Sequence, residues 1–369
     1  MAPPRLVLDA HTLRMIAIAF LLLSALSIHR LWFAGGTEIR DVIAVDGETM
    51  GTTFQIRVAG DGLDERLERD VRQVVAARLG EIDRWMSTWN PESEVSRFNA
   101  HDSSSPFAVS YETASVVAFA VELCKWTTGA YDISVGPLVA LWGFGNGARV
   151  GQPPTEAEIE EAMSHMGARL IRVGRGAPGG QGFLRKNDPT LQIDLSSIAK
   201  GFGADHVADG LFELGRTDFM VEIGGEVYAA GERPGGGPWR LAIEKPLDEG
   251  RAIQSIVELS NQGMASSGDY RIFYLDGDRR LSHTIDPRTG HPVENGPAAT
   301  TVIATTAAEA DAWATALMVL GEGEGLRLAE EWDVAGLVLT RGEAGAIEAK
   351  ANALFPATVA PGMSNSNAP

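Results

Sequence analysis

Six short blocks of small, hydroxyl-bearing and carboxylate residues are spread along the chain where chemistry could occur. They are Met50-Gly51-Thr52, Met86-Ser87-Thr88-Trp89, Gly129-Ala130-Tyr131-Asp132, Asp194–Gly201, His283–Gly290 and Ala310–Thr315. Such residues fill a core poorly, but they let backbone and oxygen ligands approach a charged molecule closely. The blocks predict one site assembled from several loops and helix ends.

Asp311 and Thr315 place a carboxylate and a hydroxyl four residues apart, on one face of a predicted helix. These oxygen ligands suit Mg²⁺, which takes one or two protein carboxylates and completes its shell with phosphate and water. A threonine bonded back to a helix carbonyl, with an aspartate favoured near a helix N-terminus, explains the same pair without a cation.

The segment Asp194–Gly201 places an aspartate before a predicted helix, with two serines at the helix mouth and Lys200 one turn in. Backbone N–H groups at a helix mouth favour anions, and Lys200 can reach a phosphate or pair with an acid. A capping serine and a solvated lysine are the alternative interpretation.

His283 stands just before the turn Asp286–Gly290, whose backbone is fixed by a proline and closed by a glycine. Histidine is the usual general base near neutral pH, but a histidine beside a turn can equally serve a structural hydrogen bond. The sequence has no Walker loop, GxSxG or HExxH motif, so those chemistries are excluded.

The overall charge is strongly acidic, with 49 acidic and 31 basic residues and a formal net charge of −18. Such a surface repels a phosphate backbone, which argues against a nucleic-acid partner. Cys124 is the one cysteine, so an internal disulfide and a cysteine-based metal cluster are excluded. We expect it to be a small buried apolar residue.

The N-terminal residues have the pattern of a targeting segment. Arg5 and Arg14 precede the apolar run Met15–Ile28, whose length lies between a signal-peptide core and a membrane span. No clear cleavage site or lipid-bearing cysteine follows. Residues 1–35 are predicted to be a secretory signal or an uncleaved anchor. The rest would lie on the periplasmic face of a bacterial inner membrane, or free in the periplasm if the segment is cleaved.

The elements that must position the blocks follow from periodicity. Alternation predicts a strand over Gly51–Gly60, and three- and four-residue spacing predicts a helix over Leu67–Met86. Leu191–Leu195 is predicted as a strand that leads into a helix over Ser197–Leu214, and Ala308–Leu320 as a further helix.

Strands cluster in runs instead of alternating with helices, which predicts an α+β fold. The predicted catalytic domain covers residues 36–355. Residues 356–369, rich in Pro, Ser and Asn, are predicted to be a disordered tail.

Taken in order, the blocks resemble the ApbE family, the FAD:protein FMN transferases. The resemblance runs from Thr49 to Leu320 and includes the Ser-Glu-x-Ser-x-x-Asn run Ser93–Asn99. It implies a single two-lobed, T-fold-like catalytic domain with mostly antiparallel sheets flanked by helices. It also implies Mg²⁺-dependent cleavage of FAD, in which FMN is joined by a phosphodiester to a Thr or Ser hydroxyl of an exported target protein and AMP is released.

The resemblance assigns roles to individual residues. The residues that contact FAD are Met50, Trp89, Ala130, Tyr131, Asp132, Asp194, Lys200 and, through its backbone, Ile285. The metal ligands are Asp311, Thr315 and the backbone carbonyl of Ser197, where many relatives have Gly or Ala, and His283 is the base. The implied partners are flavin-carrying subunits of sodium-pumping quinone reductases, Rnf-type complexes or related respiratory reductases.

Two other functions use parts of the same site. An Mg²⁺-dependent FAD pyrophosphatase would use water in place of the protein hydroxyl and give FMN and AMP. A non-catalytic periplasmic flavin-binding protein would need the FAD loops, but neither His283 nor the pair of Asp311 and Thr315. The presence of those three residues argues against the binding protein.

Overall fold

The computed structural model describes residues 40–144, 153–247, 249–270, 273–276, 279–294, 296–342 and 346–359. The predicted N-terminal segment, residues 1–35, lies outside this part of the chain. Within the described ranges, no helix has both the length and the apolar character of a membrane span. A compact unit begins at Asp41.

The described residues contain two long helices, several shorter ones and many short strands. The helices of the described residues are α1 (Glu65–Met86), α2 (Glu94–Ala100), α3 (Tyr111–Trp126), α4 (Gly136–Leu141), α5 (Glu156–Ser164), α6 (Ala199–Glu213) and α7 (Ala307–Glu331). The strands are β1 (Asp41–Thr49), β2 (Thr52–Gly60), β3 (Phe107–Ser110), β4 (Ile171–Gly174), β5 (Gln181–Lys186), β6 (Phe219–Ile223), β7 (Glu226–Ala230), β8 (Trp239–Glu244), β9 (Ile253–Leu259), β10 (Gln262–Gly268), β11 (Phe273–Asp276), β12 (Arg279–Ser282), β13 (Ala299–Ala304), β14 (Ala335–Arg341) and β15 (Ile347–Ala351).

The main sheet has eight strands in the order β1-β2-β6-β7-β10-β13-β14-β15. Its neighbouring strands pair antiparallel throughout. A three-stranded sheet, β3-β5-β4, and the hairpins β8–β9 and β11–β12 complete the strands of the described residues. The predicted α+β fold with mostly antiparallel sheets flanked by helices is therefore confirmed.

One face of the main sheet is covered by helices. Alternate residues of β2 and β6, among them Ile56 and Val221, point to this side and pack against Val75 of α1 and Val207 of α6. Helix α6 lies between α1 and α7 and also packs on β6 and β7. The first turn of α6 is thereby brought next to α7 and the turn between β6 and β7.

The opposite face of the sheet carries the hairpin β8–β9. Trp239 and Val257 of the hairpin pack on Met264 of β10 and Ile303 of β13. Residues with opposite parity on a strand therefore serve different layers, as expected for a sheet buried on both faces. This alternation decides which carboxylates can reach the helix side.

Periodicity located several elements correctly. The predicted strand over Gly51–Gly60 is β2, and the predicted helix over Leu67–Met86 is α1, which begins two residues earlier. The helix predicted over Ala308–Leu320 is α7, which continues to Glu331 through a break at Gly321, where φ is 74°.

The predicted strand over Leu191–Leu195 was wrong. Leu191, Ile193 and Leu195 are buried, but the segment joins no ladder. The side chain of Asn99 takes the place of a neighbouring strand, since its amide donates to the carbonyl of Ile193 at 2.8 Å and accepts from the N–H of Ile193 at 2.8 Å. Local alternation cannot tell a side-chain partner from a strand partner.

The predicted disordered tail needs a correction at its first residues. Val359 and Ile256 of β9 exchange backbone hydrogen bonds of 2.9 and 3.0 Å, so the chain remains ordered as far as residue 359. The strand edge offered by β9 supplies hydrogen bonds that composition alone does not reveal. The rest of the predicted tail, residues 360–369, lies outside the described residues.

Candidate functional site

The site lies where α6 and α7 each place an aspartate against backbone N–H groups at the start of the other helix. Helix α6 has no capping side chain of its own, and the N–H of Gly201 in its first turn donates to Oδ2 of Asp311 on α7 at 3.0 Å. In return, Asp205 on α6 accepts the N–H groups of Ala307 and Ala308, both at 2.8 Å. Each helix therefore satisfies donors at the other's N-terminus, which fixes their relative position.

Two glycines allow this close contact. A Cβ atom at Gly201 would lie 2.2 Å from the carbonyl oxygen of Ala307, and one at Gly263 would lie 2.2 Å from the nitrogen of Ala307. Any larger residue at either position would push α7 away. The glycine that ends the Asp194–Gly201 block is therefore required for packing beside the site.

The hydrogen bond from Gly201 to Asp311 has a consequence for Ser197. In a regular helix the N–H of Gly201 would donate to the carbonyl four residues earlier, which is that of Ser197. Because this N–H is directed to Asp311, the carbonyl of Ser197 accepts no hydrogen bond from any residue that the structure describes. It is an available oxygen ligand beside a buried carboxylate.

Thr315 lies one turn after Asp311 on α7 and is partly exposed. Across the described ranges, its hydroxyl makes no hydrogen bond, so the alternative of a threonine bonded back to its own helix is not realised. Asp311, Thr315 and the carbonyl of Ser197 together offer one carboxylate, one hydroxyl and one carbonyl.

This donor set fits a hard cation. Within the part of the chain that the structure describes, no three His, Cys, Asp or Glu side chains converge to form a metal cluster, as a zinc site or a calcium cage would require. One carboxylate supported by neutral oxygens matches the needs of Mg²⁺, which keeps several positions for water and phosphate. The residues predicted as metal ligands are chemically suited to that role.

Lys200 lies between two carboxylates. Its ammonium is 2.8 Å from Oε1 of Glu226, the first residue of β7, and 3.6 Å from Oδ1 of Asp311. Burial by itself lowers the pKa of Lys200, but Asp311 and Glu226 outweigh it and raise that pKa above its usual value. Lys200 is therefore a fixed positive charge, with 28% of its side chain exposed.

The two carboxylates are themselves deeply buried. Asp311 is 2% exposed and Glu226 is 3% exposed. Burial raises the pKa of each carboxyl, while the neighbouring Lys200 opposes this rise. When both carboxyls are ionised, two negative charges face one lysine, and an additional cation would balance them.

Tyr131 lies on the other side of Ser197. The Ser197 hydroxyl donates to the Tyr131 hydroxyl at 3.0 Å, and Tyr131 is 2% exposed. Its loop leaves α3 through Thr128 and Gly129, which have φ of 50° and 83°. Ala130, beside it, is also buried. The structure thus joins the Gly129–Asp132 block to the Asp194–Gly201 block.

Asp132 serves its own loop. Its Oδ1 accepts from the N–H and hydroxyl of Ser134 at 2.8 and 2.7 Å, and its Oδ2 accepts from the N–H of Ala168 at 2.9 Å. Half-buried Cys124 also points its Sγ at Oδ2 from 3.5 Å, and burial raises the pKa of this thiol to about 12. The predicted contact of Asp132 with FAD stays a prediction.

Asp194 joins the same two loops. Its N–H donates to the carbonyl of Ile133 at 2.7 Å, and its Oδ1 accepts from the N–H of Ser196 at 2.8 Å. Its Cβ lies 3.2 Å from where a Cβ at Gly136 would stand. Asp194 therefore sits against the loop of Tyr131 and shapes the approach to α6.

Met50 lies beside α6 from the β1–β2 connection, whereas Trp89 lies on the α1–α2 connection, where the described contacts do not join it to the other blocks. Met50 takes φ of 49° in its turn, and its Cε would lie 2.9 Å from a Cβ at Gly203, one turn along α6 from Lys200. Trp89 is 72% exposed, and its N–H donates to the Ser87 hydroxyl at 3.2 Å. The indole face is open for stacking on an aromatic ligand.

The His283–Gly290 block lies apart from the α6–α7 junction and forms a further wall of the candidate site. His283 is half-buried, with its ring centroid 6.4 Å from that of Phe144, and Ile285 is 5% exposed. The turn is held by Trp142, whose indole N–H donates to the carbonyl of Gly290 at 2.7 Å.

This wall meets the Gly129–Asp132 loop. The Cγ of Arg288, which pairs with Asp286 at 2.8 Å, would lie 3.6 Å from a Cβ at Gly129. Three of the predicted blocks therefore adjoin in a series of contacts that runs from Arg288 through Gly129 and Tyr131 to Ser197.

Sequence reasoning missed two residues of the junction, Asp205 and Glu226. A signal for Glu226 existed, because it shares strand parity with Tyr228 and pairs with Ile223, both of which face the helices. A carboxylate at such a position needs a cationic partner. Asp205 could not be located in the same way, because its role depends on which helix lies across α6.

Comparison with known proteins identifies the family of the chain. The model of the ApbE family matches residues 50–338. The chain belongs to the ApbE family. A FAD:protein FMN transferase from Haemophilus influenzae is 40% identical over 314 residues, which cover 85% of this chain and 90% of that protein.

Solved structures of ApbE proteins have the same fold. The flavin transferase ApbE from Vibrio cholerae aligns with a TM-score of 0.76 and 39% identity, over 86% of this chain and 98% of that one. The apo form of the Pseudomonas stutzeri flavinyl transferase ApbE aligns with a TM-score of 0.74 and 36% identity, over 85% and 96%. The family match includes every predicted site residue, from Met50 to Thr315.

Proposed function

We propose that this chain transfers FMN from FAD to a Thr or Ser hydroxyl of a target protein, forming a phosphodiester and releasing AMP. The observation that carries the proposal is the α6–α7 junction, where Lys200 and the oxygen donors around Asp311 converge. Relatives that cover most of the chain are named FAD:protein FMN transferases. A lysine and a group of oxygen ligands suit a pyrophosphate substrate.

Mg²⁺ would be held by Asp311, Thr315 and the carbonyl of Ser197. When bound, it supplies positive charge against the negative charge that develops on the pyrophosphate. Lys200 supplies a second positive charge from the protein itself. The N–H of Gly201 orients Asp311, so that Oδ1 is the oxygen left for the cation.

FAD would be held by the surrounding loops. Trp89 offers an exposed aromatic face, and Met50 and Tyr131 line the approach to α6. The remaining contacts would come from Ala130, Asp132, Asp194 and the backbone of Ile285. Protein loops that hold both ends of a substrate fix the position of its scissile bond, and such positioning raises the reaction rate.

The reaction is a displacement at the phosphorus of the FMN half. The acceptor hydroxyl oxygen bonds to this phosphorus, and the bond from phosphorus to the bridging oxygen breaks. AMP leaves with the bridging oxygen, and His283 takes the proton of the hydroxyl. His283 is carried beside a turn that Trp142 and Arg288 hold in place, which gives a base a defined position.

The test is to incubate the full chain with FAD, Mg²⁺ and an exported flavoprotein domain, and to measure the intact mass of that domain. We expect a gain equal to FMN less one water, with one AMP released per transfer. A target whose acceptor Thr is replaced by Val is the matched control. Release of FMN and AMP without a mass gain on any target would support the pyrophosphatase instead.

His283 has a separate test. Because a general base contributes about 10²- to 10⁴-fold, His283→Asn should lose transfer by about that factor while FAD binding is retained. A parallel loss of FAD affinity would make His283 a binding residue.

We further propose that residues 1–35 attach the enzyme to the periplasmic face of the inner membrane, where flavin subunits of respiratory redox complexes are its targets. The arginines and apolar run of this segment support the proposal. Membrane fractionation with N-terminal sequencing tests it. A soluble form that starts near residue 36 would show that the segment is a cleaved signal.

A further inference from the structure

Glu226 is a buried carboxylate whose position calls for an explanation. It is 3% exposed, its Oε1 is 2.8 Å from the ammonium of Lys200, and its Oε2 is buried without a hydrogen-bond partner in the described residues. Burying a carboxylate with one oxygen unpaired is costly, so such groups in a stable fold usually serve a purpose. The roles assigned above do not include Glu226.

The geometry around Lys200 suggests that purpose. Its ammonium is closer to Glu226 than to Asp311, at 2.8 against 3.6 Å. The stem of Lys200 passes close to Gly224, since its Cδ lies 3.2 Å from where a Cβ at that glycine would stand. The ammonium therefore lies within reach of both carboxylates.

We propose that Glu226 is a positioning residue that holds Lys200 back from Asp311, so that Oδ1 of Asp311 stays available to a divalent cation. This inference rests on the proposed function, because it presumes a cation at Asp311. The other oxygen of Asp311 is bound to the N–H of Gly201, so Oδ1 is the oxygen for which Lys200 and the cation compete.

Without the charge of Glu226, the ammonium should close onto Asp311. An opposite charge attracts more strongly as the distance falls, and a buried charge-assisted hydrogen bond is strong. A cation would then have to displace Lys200 before it could bind. We expect the affinity for a divalent cation to fall about tenfold or more, which is the order of one such hydrogen bond.

The experiment uses Mn²⁺ as the probe and electron paramagnetic resonance of free Mn²⁺ to measure its binding to the full chain. Glu226→Gln keeps the shape of the side chain and should weaken binding about tenfold or more. Lys200→Met should bind Mn²⁺ at least as tightly as the wild type. The double variant should regain the affinity that Glu226→Gln loses.

Glu222→Gln is the matched control. Glu222 lies four positions earlier on the opposite face of the sheet, where it lines a cavity of about 660 Å³. The Glu222→Gln substitution removes one negative charge near the site without touching Lys200, so the Mn²⁺ affinity of this variant should stay close to the wild-type value. An equal loss in this variant would assign the effect to overall charge and overturn the proposal.

A crystal structure of Glu226→Gln gives a direct answer. The ammonium of Lys200 should lie closer to Oδ1 of Asp311 than the present 3.6 Å. An unmoved lysine, or unchanged Mn²⁺ affinity, would overturn the inference and leave the transferase function intact. A wild-type chain that binds no Mn²⁺ would overturn this inference together with the metal assignment, whereas absent FMN transfer with the expected Mn²⁺ shifts would overturn only the proposed function.

Discussion

Lys186 at the end of β5 and Lys200 in the first turn of α6 both place their ammonium groups among oxygens of other residues, but those oxygens differ. Lys186 is fully buried and donates to the backbone carbonyls of Asn99 and Leu191 at 3.1 and 3.0 Å. It also lies 5.1 Å from the centroid of the Phe98 ring. Lys200 faces two carboxylates and is partly open to solvent.

The surroundings of the two lysines therefore shift the lysine pKa in opposite directions. Burial lowers the pKa of Lys186, and the negative charges of Asp188 and Asp102 oppose this only in part. At Lys200 the carboxylates overcome burial and raise the pKa. A lysine held by carbonyls ties loops together, whereas a lysine held by a surplus of carboxylates stands where a cation and a phosphate can also bind.

The largest effect should come from removing the carboxylate shared by Lys200 and the proposed cation. Asp311→Asn should reduce FMN transfer at least about 10³-fold, because several kcal/mol of charge stabilisation are lost. The amide oxygen can still accept the N–H of Gly201, so the thermal unfolding profile should show a folded protein. If the variant transferred FMN near the wild-type rate, Asp311 would have no part in the reaction.

Removing Lys200 comes next. Lys200→Met should lower transfer about 10- to 100-fold, since one charge-assisted contact to phosphate is lost. It should also cost about 3 kcal/mol of unfolding free energy, because Glu226 is left buried without its partner. Urea denaturation measures the cost, and adding Glu226→Gln should recover part of it. No recovery would mean that the pair is not energetically coupled.

Removing Lys186 should affect stability alone. Lys186→Met leaves two buried carbonyls without their donor, which should cost about 1–3 kcal/mol. FMN transfer per folded molecule should stay near the wild-type value, as measured at a temperature well below unfolding. A large loss of transfer would show that Lys186 also acts on the site, and would remove the contrast between the two lysines.

The smallest effect is a difference in pH dependence. The folded-state pKa of Lys186 lies below its unfolded value, so between those two values the unfolded chain binds more protons and stability rises with pH. Relative to Lys186→Met, the wild type should therefore gain stability as the pH approaches about 10.5, the usual lysine value.

Lys200 should behave differently in the same measurement. Its folded-state pKa is raised, so its contribution is fully present below the unfolded pKa and is lost progressively as the pH rises through the higher folded value. Measured in a Glu226→Gln background, so that Glu226 does not titrate in this range, the stability gap between Lys200 and Lys200→Met should not widen from pH 7 to about 10. Urea midpoints across this range check both lysines, and matching slopes would contradict the contrast.

The sequence predicted what depends on local patterns. Helix α1 and strand β2 followed from periodicity. Asp311, Thr315 and Lys200 were candidates from residue type and spacing, but the family resemblance gave them their roles in metal and FAD binding, and those roles stay predictions. The Ala130 and Tyr131 loop was found from its resemblance to a family block.

What could not be predicted depends on contacts between distant segments. Lys200 and Glu226 are 26 positions apart in sequence, and their pairing requires β7 to lie beneath the first turn of α6. The freed carbonyl of Ser197 likewise follows from a hydrogen bond between two helices. The strand prediction for Leu191–Leu195 failed for the same reason, because the hydrogen-bond partner of this segment is a side chain from α2.

Asp205 and Asp311, the aspartates that join α6 and α7, also determine how the enzyme should respond to heat. Because Asp205 and Asp311 bind backbone groups of the facing helix, the oxygen donors cannot loosen unless the two helices separate. Those helices pack on the central strands of the main sheet, which open last in a folded domain. The enzyme should therefore keep its working geometry up to its melting temperature and then lose activity and structure in one step.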